Sequence, residues 1–223
     1  MNNAVILRVV ALLVCSFVSA MSVADGYSWQ GVPTYKVTIT NVTKGQNFTP
    51  FIVASHKPGL HFFTLGEMAS PEISRIAEGG DIAPLMAVLE ASPMVKDIAT
   101  TSGLLGAGDS VEVMVEAWGP FRKLSLAAML VPTNDTFISL DAVSLPKFGS
   151  VTYLAHAYDA GSETNDESCA TIPGPHCGGE PFSPYDDGEG FVHISAGISG
   201  AGEVDPALYD WRGPVAKVVI ERM

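Results

Sequence analysis

The sequence is poor in positive charge. Its 223 residues contain 12 Lys and Arg against 24 Asp and Glu, which gives a formal net charge of −12. Nucleic acids and anionic membrane surfaces are bound through cations, so this balance argues against both as partners. Charged residues make up only 16% of the chain and hydrophobic residues 47%, a composition typical of a folded protein with a sizeable core.

Long apolar runs are also scarce. The run from residue 9 to residue 18 follows a single charge, Arg8, and is too short to span a bilayer. Small residues at its end suit cleavage after Ala20 or Ala24, so residues 1–24 are predicted to be a secretory signal, with a retained anchor as the alternative. We therefore expect a secreted, periplasmic or cell-surface protein with no transmembrane segment after cleavage.

Cysteine is rare as well. Cys15 lies within the predicted signal, which leaves Cys169 and Cys177 in the exported chain. An even pair in an exported protein predicts one disulfide. The alternative is a metal site that includes His176, but two thiols and one imidazole at this spacing fall short of a zinc pattern.

The remaining sequence is dominated by short, punctuated strand patterns. Tyr35, Val37 and Ile39 alternate with polar residues, which is typical of a half-buried strand. Helical signals are confined to residues 70–92. Residues 25–33 are predicted to be an irregular lead-in, and residues 34–223 one mainly β domain, an antiparallel β-sandwich with a short helical insertion. Further strands are predicted at residues 51–56, 60–65, 110–116, 124–131, 136–140, 151–157, 191–196 and 214–221.

One stretch, residues 151–196, is strongly acidic and contains no Lys or Arg. Two predicted strands flank a long loop whose carboxylates belong to Asp159, Glu163, Asp166, Glu167, Glu180, Asp186, Asp187 and Glu189. Crowded like charges need either full solvation or a bound cation, and Ca²⁺ prefers carboxylate and carbonyl oxygens. Asp159 and Glu163 are four residues apart after a strand, so one loop can turn both towards a single ion. Whether the second acidic turn, residues 186–189, takes part is left open by the sequence.

Several segments resemble a known family. They are the strand Tyr35–Asn41, the turn and strand Pro132–Leu140, the motif Asp159-Ala-Gly-Ser-Glu163 and the motif Asp210-Trp-Arg-Gly-Pro-Val-Ala-Lys217. Together they are similar to the spondin domain of F-spondin-type secreted matrix proteins, in its stand-alone bacterial form. The resemblance extends from about Thr34 to Arg222.

The resemblance implies a C2-like β-sandwich with Ca²⁺ held between two loops at one end. Carried over by position, the implied ligands are Asp135 from the first loop and Asp159 and Glu163 from the second. A backbone carbonyl near Thr133 would complete the set. Glu163 stands where animal members usually have Asp, so the side chain is one methylene longer at that position.

Three functions are compatible with these features. The favoured one is a non-enzymatic, exported Ca²⁺-binding module for adhesion or for binding an extracellular protein, matrix or polysaccharide. A secreted Ca²⁺-dependent glycan hydrolase is the second, because Asp159 and Asp187 could converge as a carboxylate pair. A metal-free structural envelope protein is the third. No nucleophile and base occur in a recognisable arrangement, and His156 and His193 are expected to be structural rather than a zinc or catalytic pair.

Overall fold

The computed structural model describes residues 31–182 and 187–223. The predicted signal, residues 1–24, lies outside them. The described part contains ten strands and three short helices, none of which is long and apolar enough to cross a membrane. In chain order they are β1 (Thr34–Asn41), β2 (Asn47–Phe48), β3 (Ile52–His56), α1 (Pro71–Gly79), α2 (Ala83–Glu90), β4 (Val95–Thr100), β5 (Ser110–Glu116), β6 (Lys123–Val131), β7 (Thr136–Ser144), β8 (Ser150–Asp159), β9 (His193–Ile194), α3 (Pro206–Tyr209) and β10 (Ala216–Arg222).

The strands form one antiparallel sheet in the order β4-β3-β6-β7-β8-β10-β1-β5, with β2 added beside β6 and β9 beside β8. The two edge strands approach each other. Ser55 Oγ donates to the Glu116 carbonyl at 2.6 Å, and the Glu116 N–H donates to Asp97 Oδ2 at 2.7 Å. The sheet is therefore nearly closed. The predicted antiparallel, mainly β architecture is confirmed, and its two layers are two parts of one continuous sheet.

Most strands follow the expected alternation. Tyr35, Val37 and Ile39 of β1 are buried and their neighbours half-buried, while β6 is almost wholly buried because β3 and β7 flank it and both its faces are covered. Strand β4 was not predicted, because its residues show no alternation of buried and exposed positions. Residues 60–65 form no strand; the Phe62 N–H donates to Asp141 Oδ1 at 2.7 Å instead of to a neighbouring strand.

The predicted helical insertion is present as α1 and α2. The Ser70 side chain accepts a hydrogen bond from the Ile73 N–H and caps α1, and Gly80 ends it in the left-handed conformation (φ 67°). Ile73 and Ile76 pack into a second, smaller core that includes Ile52 and Phe137. The helices thus cover the outer face of the sheet at β3 and β7, while the main core fills its interior.

Strands β7 and β8 define two opposite ends of the domain. β7 begins at Thr136, beside the last residue of β8, Asp159. It is nine residues long and ends at Ser144, near the turn that leads to Ser150, the first residue of β8. At about 3.3 Å per residue, these two ends are roughly 25–30 Å apart. The acidic loops lie at the Asp159 end.

The loops after β8 are tied to the domain by a disulfide and a buried carboxylate. Cys169 and Cys177 form the predicted disulfide, so their sulfurs are not thiolate ligands beside His176. Glu167 is buried and accepts hydrogen bonds from the Ser199 N–H, the Ser199 hydroxyl and the Gly200 N–H, at 2.6, 2.8 and 2.8 Å. Its role is therefore to fix the loop at residues 197–202.

Glu167→Gln should lower the free energy of unfolding by about 2–3 kcal/mol, because an amide replaces one acceptor oxygen with a donor that faces an N–H. Urea unfolding measures this. The matched control is Glu203→Gln, since Glu203 is exposed and its side chain accepts one hydrogen bond, from the Cys169 N–H. Equal losses in the two variants would contradict the assigned role.

Candidate metal centre

Strand pairing places two carboxylates side by side. Thr136 of β7 pairs with Asp159 of β8, so Asp135, which immediately precedes β7, lies next to the end of β8. The Ala160 N–H donates to the Asp135 carbonyl at 3.1 Å and extends this pairing by one residue. The pairing explains why two residues that are 24 positions apart in the sequence share one site.

The loop after β8 folds back over Asp135. The Oδ2 atom of Asp135 accepts hydrogen bonds from the N–H groups of Ser162 and Glu163, at 2.7 and 3.0 Å. Asp159 in turn accepts from the Gly161 N–H through Oδ1, at 2.8 Å, and from the Asn165 amide through Oδ2, at 2.9 Å. The turn that contains Asp159 and Glu163 is therefore hydrogen-bonded directly to Asp135, the predicted ligand from the first loop.

All three carboxylates are buried. Asp135 and Glu163 are 0% exposed and Asp159 is 2% exposed. Asp135 Oδ1 is inaccessible to solvent and accepts no hydrogen bond from residues 31–182 or 187–223. A buried carboxylate oxygen without a donor is strongly destabilising unless it is protonated or bound to a cation.

The electrostatics agree with this geometry. Burial raises the pKa of Asp135 to about 7, and the neighbouring Asp159 carboxylate adds to the rise. Burial also raises the pKa of Asp159. Within the described ranges, no Lys or Arg forms an ion pair with Asp135 or Asp159. Negative charge is therefore concentrated at Asp135 and Asp159 without a guanidinium or ammonium group to balance it in the described part of the chain.

A second layer of polar groups forms the rim. His193 pairs with Asp159 across β8 and β9, and its Nε2 lies 3.4 Å from Asp159 Oδ1 and 3.7 Å from Glu189 Oε2. Ligand atoms of these three residues lie within 4.8 Å of one another, close enough for one ion. Burial lowers the pKa of His193, but the Ile194 carbonyl and the two carboxylates outweigh it, and the pKa is raised overall.

The second acidic turn does reach the first. Glu189 accepts a hydrogen bond from the Asn165 amide at 3.3 Å, and the Asp187 carbonyl accepts one from the Thr164 hydroxyl, also at 3.3 Å. The Glu189 side chain therefore lies close to Asp159, and its participation in a metal site stays a prediction. Asp186 lies outside the described residues.

The other residues considered from the sequence have different positions. Thr133 is buried in the turn before Asp135, where its hydroxyl donates to the Leu130 carbonyl at 2.6 Å and accepts from the Thr136 N–H at 3.3 Å. Only its carbonyl is left as the predicted ligand. Asp166 accepts hydrogen bonds from the Asn134 amide and the Ser168 N–H instead of facing the site.

The histidines do not form a pair. His156 is exposed and lies opposite Ser139 on β7, whereas His193 lies opposite Asp159. The proximity of His193 to the acidic residues was missed because it depends on the register between β8 and β9, which are separated by a long loop. The local sequence offers one indication of this proximity, because His193 lies in a predicted strand only four residues after Glu189.

Two glycines let the loops approach each other. A Cβ on Gly161, whose φ is +65°, would lie 2.4 Å from the Phe191 carbonyl oxygen, and one on Gly188 would lie 2.4 Å from the Gly161 carbonyl oxygen. The Gly190 N–H donates to the Gly161 carbonyl at 2.8 Å. Backbone-to-backbone contact therefore holds the second turn against the first.

Gly161→Ala should lower the free energy of unfolding by at least about 2 kcal/mol. Two effects contribute: alanine is strained at a positive φ, and its Cβ would clash with the Phe191 backbone. Gly178→Ala is the matched control, because Gly178 has φ +72° and open space around its Cβ position. The difference between the two midpoints of chemical unfolding isolates the clash. A loss in the Gly178 variant as large as that in the Gly161 variant would show that the close approach is unimportant.

The metal-free protein should become less stable as the pH rises from about 4 to about 7. In this window folded Asp135 (pKa about 7) retains a proton that the unfolded carboxyl (3.8) has lost, so folding is disfavoured by up to about 1.4 kcal/mol per pH unit. Urea unfolding after removal of divalent ions tests this, with Asp135→Asn as the comparison. The variant should show a flatter dependence; identical slopes would contradict the prediction.

Comparison with known proteins places this site within a family. No curated protein matches the chain. The family model described as Spondin_N matches residues 33–172, which include Asp135, Asp159 and Glu163. That family and the disulfide together indicate an extracellular-type module. Because the match covers more than half of the sequence, the chain belongs to the spondin N-terminal domain family.

Proposed function

We propose that this protein is an exported, non-enzymatic module that binds Ca²⁺ between the loops at residues 133–135 and 159–163, and that these loops contact an extracellular protein or polysaccharide. The observation that carries the proposal is Asp135 Oδ1, a buried carboxylate oxygen with no hydrogen-bond donor among the described residues, beside two further buried carboxylates. A bound cation resolves this otherwise unfavourable arrangement.

The donor set favours Ca²⁺ over other ions. Three carboxylates and the predicted Thr133 carbonyl provide only oxygen atoms, which hard cations prefer. The Asn165 side chain and the Glu189 carboxylate, which are hydrogen-bonded to each other at 3.3 Å, would provide further oxygen ligands at the rim. Ca²⁺ accepts six to eight ligands in irregular geometry, whereas Mg²⁺ requires a near-ideal octahedron.

The ion would act on structure rather than on chemistry. It would cancel the repulsion among the carboxylates and fix the turn at Gly161–Glu163. Because the turn at Gly188–Gly190 packs on this one, both loops would be fixed together. Ordered loops lose less conformational entropy when a partner binds, which suits an adhesion or matrix-binding module.

The hydrolase alternative is less well supported. The raised pKa of Asp135 resembles that of a general acid. However, Asp135 is 0% exposed and one of its oxygens is held by two backbone N–H groups, so a glycosidic oxygen has no access to it. Asp159 is 2% exposed and is similarly enclosed.

Ca²⁺ should raise the thermal unfolding midpoint of the purified protein relative to the protein in EDTA, by the equivalent of about 2.7 kcal/mol at 100 times the dissociation constant. Mg²⁺ at the same concentration should give a smaller shift. Asp135→Asn should abolish the Ca²⁺ effect, because the isosteric amide removes a charge and an acceptor from the buried cluster.

The matched control is Asp109→Asn, since Asp109 is exposed and lies in the turn before β5, which is not one of the loops that form the metal centre. Its response to Ca²⁺ should equal that of the wild type. The absence of a shift with either ion, or an equal shift in the Asp135 variant, would refute the Ca²⁺ site and leave the metal-free structural function.

A further inference from the structure

A second potential site lies at the opposite end of the sheet. An open cavity of about 440 Å³ is formed where β7 ends, between the turn after β5, the start of β6 and the end of β10. Ser144 of β7 is part of its wall. Because Asp135 immediately precedes the other end of the same strand, this cavity and the metal centre are separated by the length of β7.

The wall of this cavity is positively charged in a protein that is strongly negative overall. Its cationic residues are Arg122, Lys123, Lys147 and Arg222, and no Asp or Glu lines it. These four are one third of the 12 Lys and Arg in the sequence. Within residues 31–182 and 187–223, none of the four forms an ion pair. Like charges that converge without counterions create a local positive potential that attracts anions.

The cations keep donors available for a ligand. Lys123 Nζ donates to the Ser144 hydroxyl at 3.1 Å, and one Arg222 N–H donates to the Lys147 carbonyl. A guanidinium has five N–H donors and an ammonium three, so most of the donor capacity is not used by these contacts. An arginine fork binds a carboxylate or sulfate through two parallel hydrogen bonds.

Aromatic rings lie beside the cations. Trp118 and Phe121 line the cavity, and Trp118 is 40% exposed. Lys96 Nζ lies 3.7 Å from the centre of the Trp118 ring and Lys57 Nζ 5.1 Å from that of Phe121, which brings two more positive charges to the rim. The two aromatic rings and three prolines provide rigid apolar surface. Rigid side chains lose little conformational entropy when a ligand packs against them.

We propose that this cavity binds an acidic oligosaccharide, with carboxylate or sulfate groups on Arg122, Lys147 and Arg222 and a sugar ring against Trp118. A neutral sugar is a poor fit because the wall has no carboxylate to accept hydrogen bonds from its hydroxyl groups. The binding is independent of the metal centre and does not require the proposed Ca²⁺ function.

The test is titration calorimetry of the purified protein with a heparin-derived hexasaccharide, oligogalacturonate of six residues, maltohexaose and hexaglutamate, each in Ca²⁺ and in EDTA. At least one of the two acidic saccharides should bind, and maltohexaose should not. Binding should weaken as the salt concentration rises and should be the same in Ca²⁺ and EDTA. Hexaglutamate should bind at least about tenfold more weakly, because it has no sugar ring to pack against Trp118.

The double variant R122Q/K147Q should raise the dissociation constant about tenfold or more, whereas K44Q/K217Q, with the same charge change at exposed positions away from the cavity, should change it less than about twofold. W118L should also weaken binding by several-fold. Equal losses in both double variants, equal binding of hexaglutamate, a requirement for Ca²⁺, or no binding of either acidic saccharide would overturn the proposal.

Discussion

The pairing of β7 with β8 is the constraint on which the acidic end of this protein depends. It buries Asp135 and Asp159 next to each other, where burial and the Asp159 carboxylate make ionisation of Asp135 less favourable. Two backbone N–H groups donate to one oxygen of Asp135, but the other oxygen has no donor in the described part of the chain. A carboxylate buried in this way is stabilised either by protonation or by a bound cation. The proposed Ca²⁺ site is the second of these two possibilities.

The surrounding loops are built to keep this cluster in place. Asn134, buried beside Asp135, accepts from the Glu167 N–H and donates to Asp166, while Glu167 holds the loop at residues 197–202. Glycines at 161 and 188 allow the two acidic turns to contact each other through their backbones. Several carboxylates that look like ligands in the sequence are therefore structural, because their oxygens are already used to order the loops.

The two ends of the domain differ in charge. The carboxylates gather where β7 begins and β8 ends. Four cations, none of which forms an ion pair within the described residues, gather where β7 ends. The rigid sheet between them separates the two potentials by more than a Debye length at physiological ionic strength, so each end can meet a ligand without the other. An extracellular module with this polarity has one surface suited to a cation and another suited to an anion.

Local patterns predict most of the strands, the helical insertion with its Ser70 cap, the disulfide pair and the excess of acidic residues, because alternation, capping and composition depend only on neighbouring residues or on residue counts. The positions of Glu189 and His193 beside Asp159, and of Asp166 and Glu167 away from it, could not be read from local patterns, because strand register and loop packing are non-local. The same reason explains the cationic cavity: Arg122, Lys147 and Arg222 are far apart in the sequence and meet only because the start of β6 and the ends of β7 and β10 lie together.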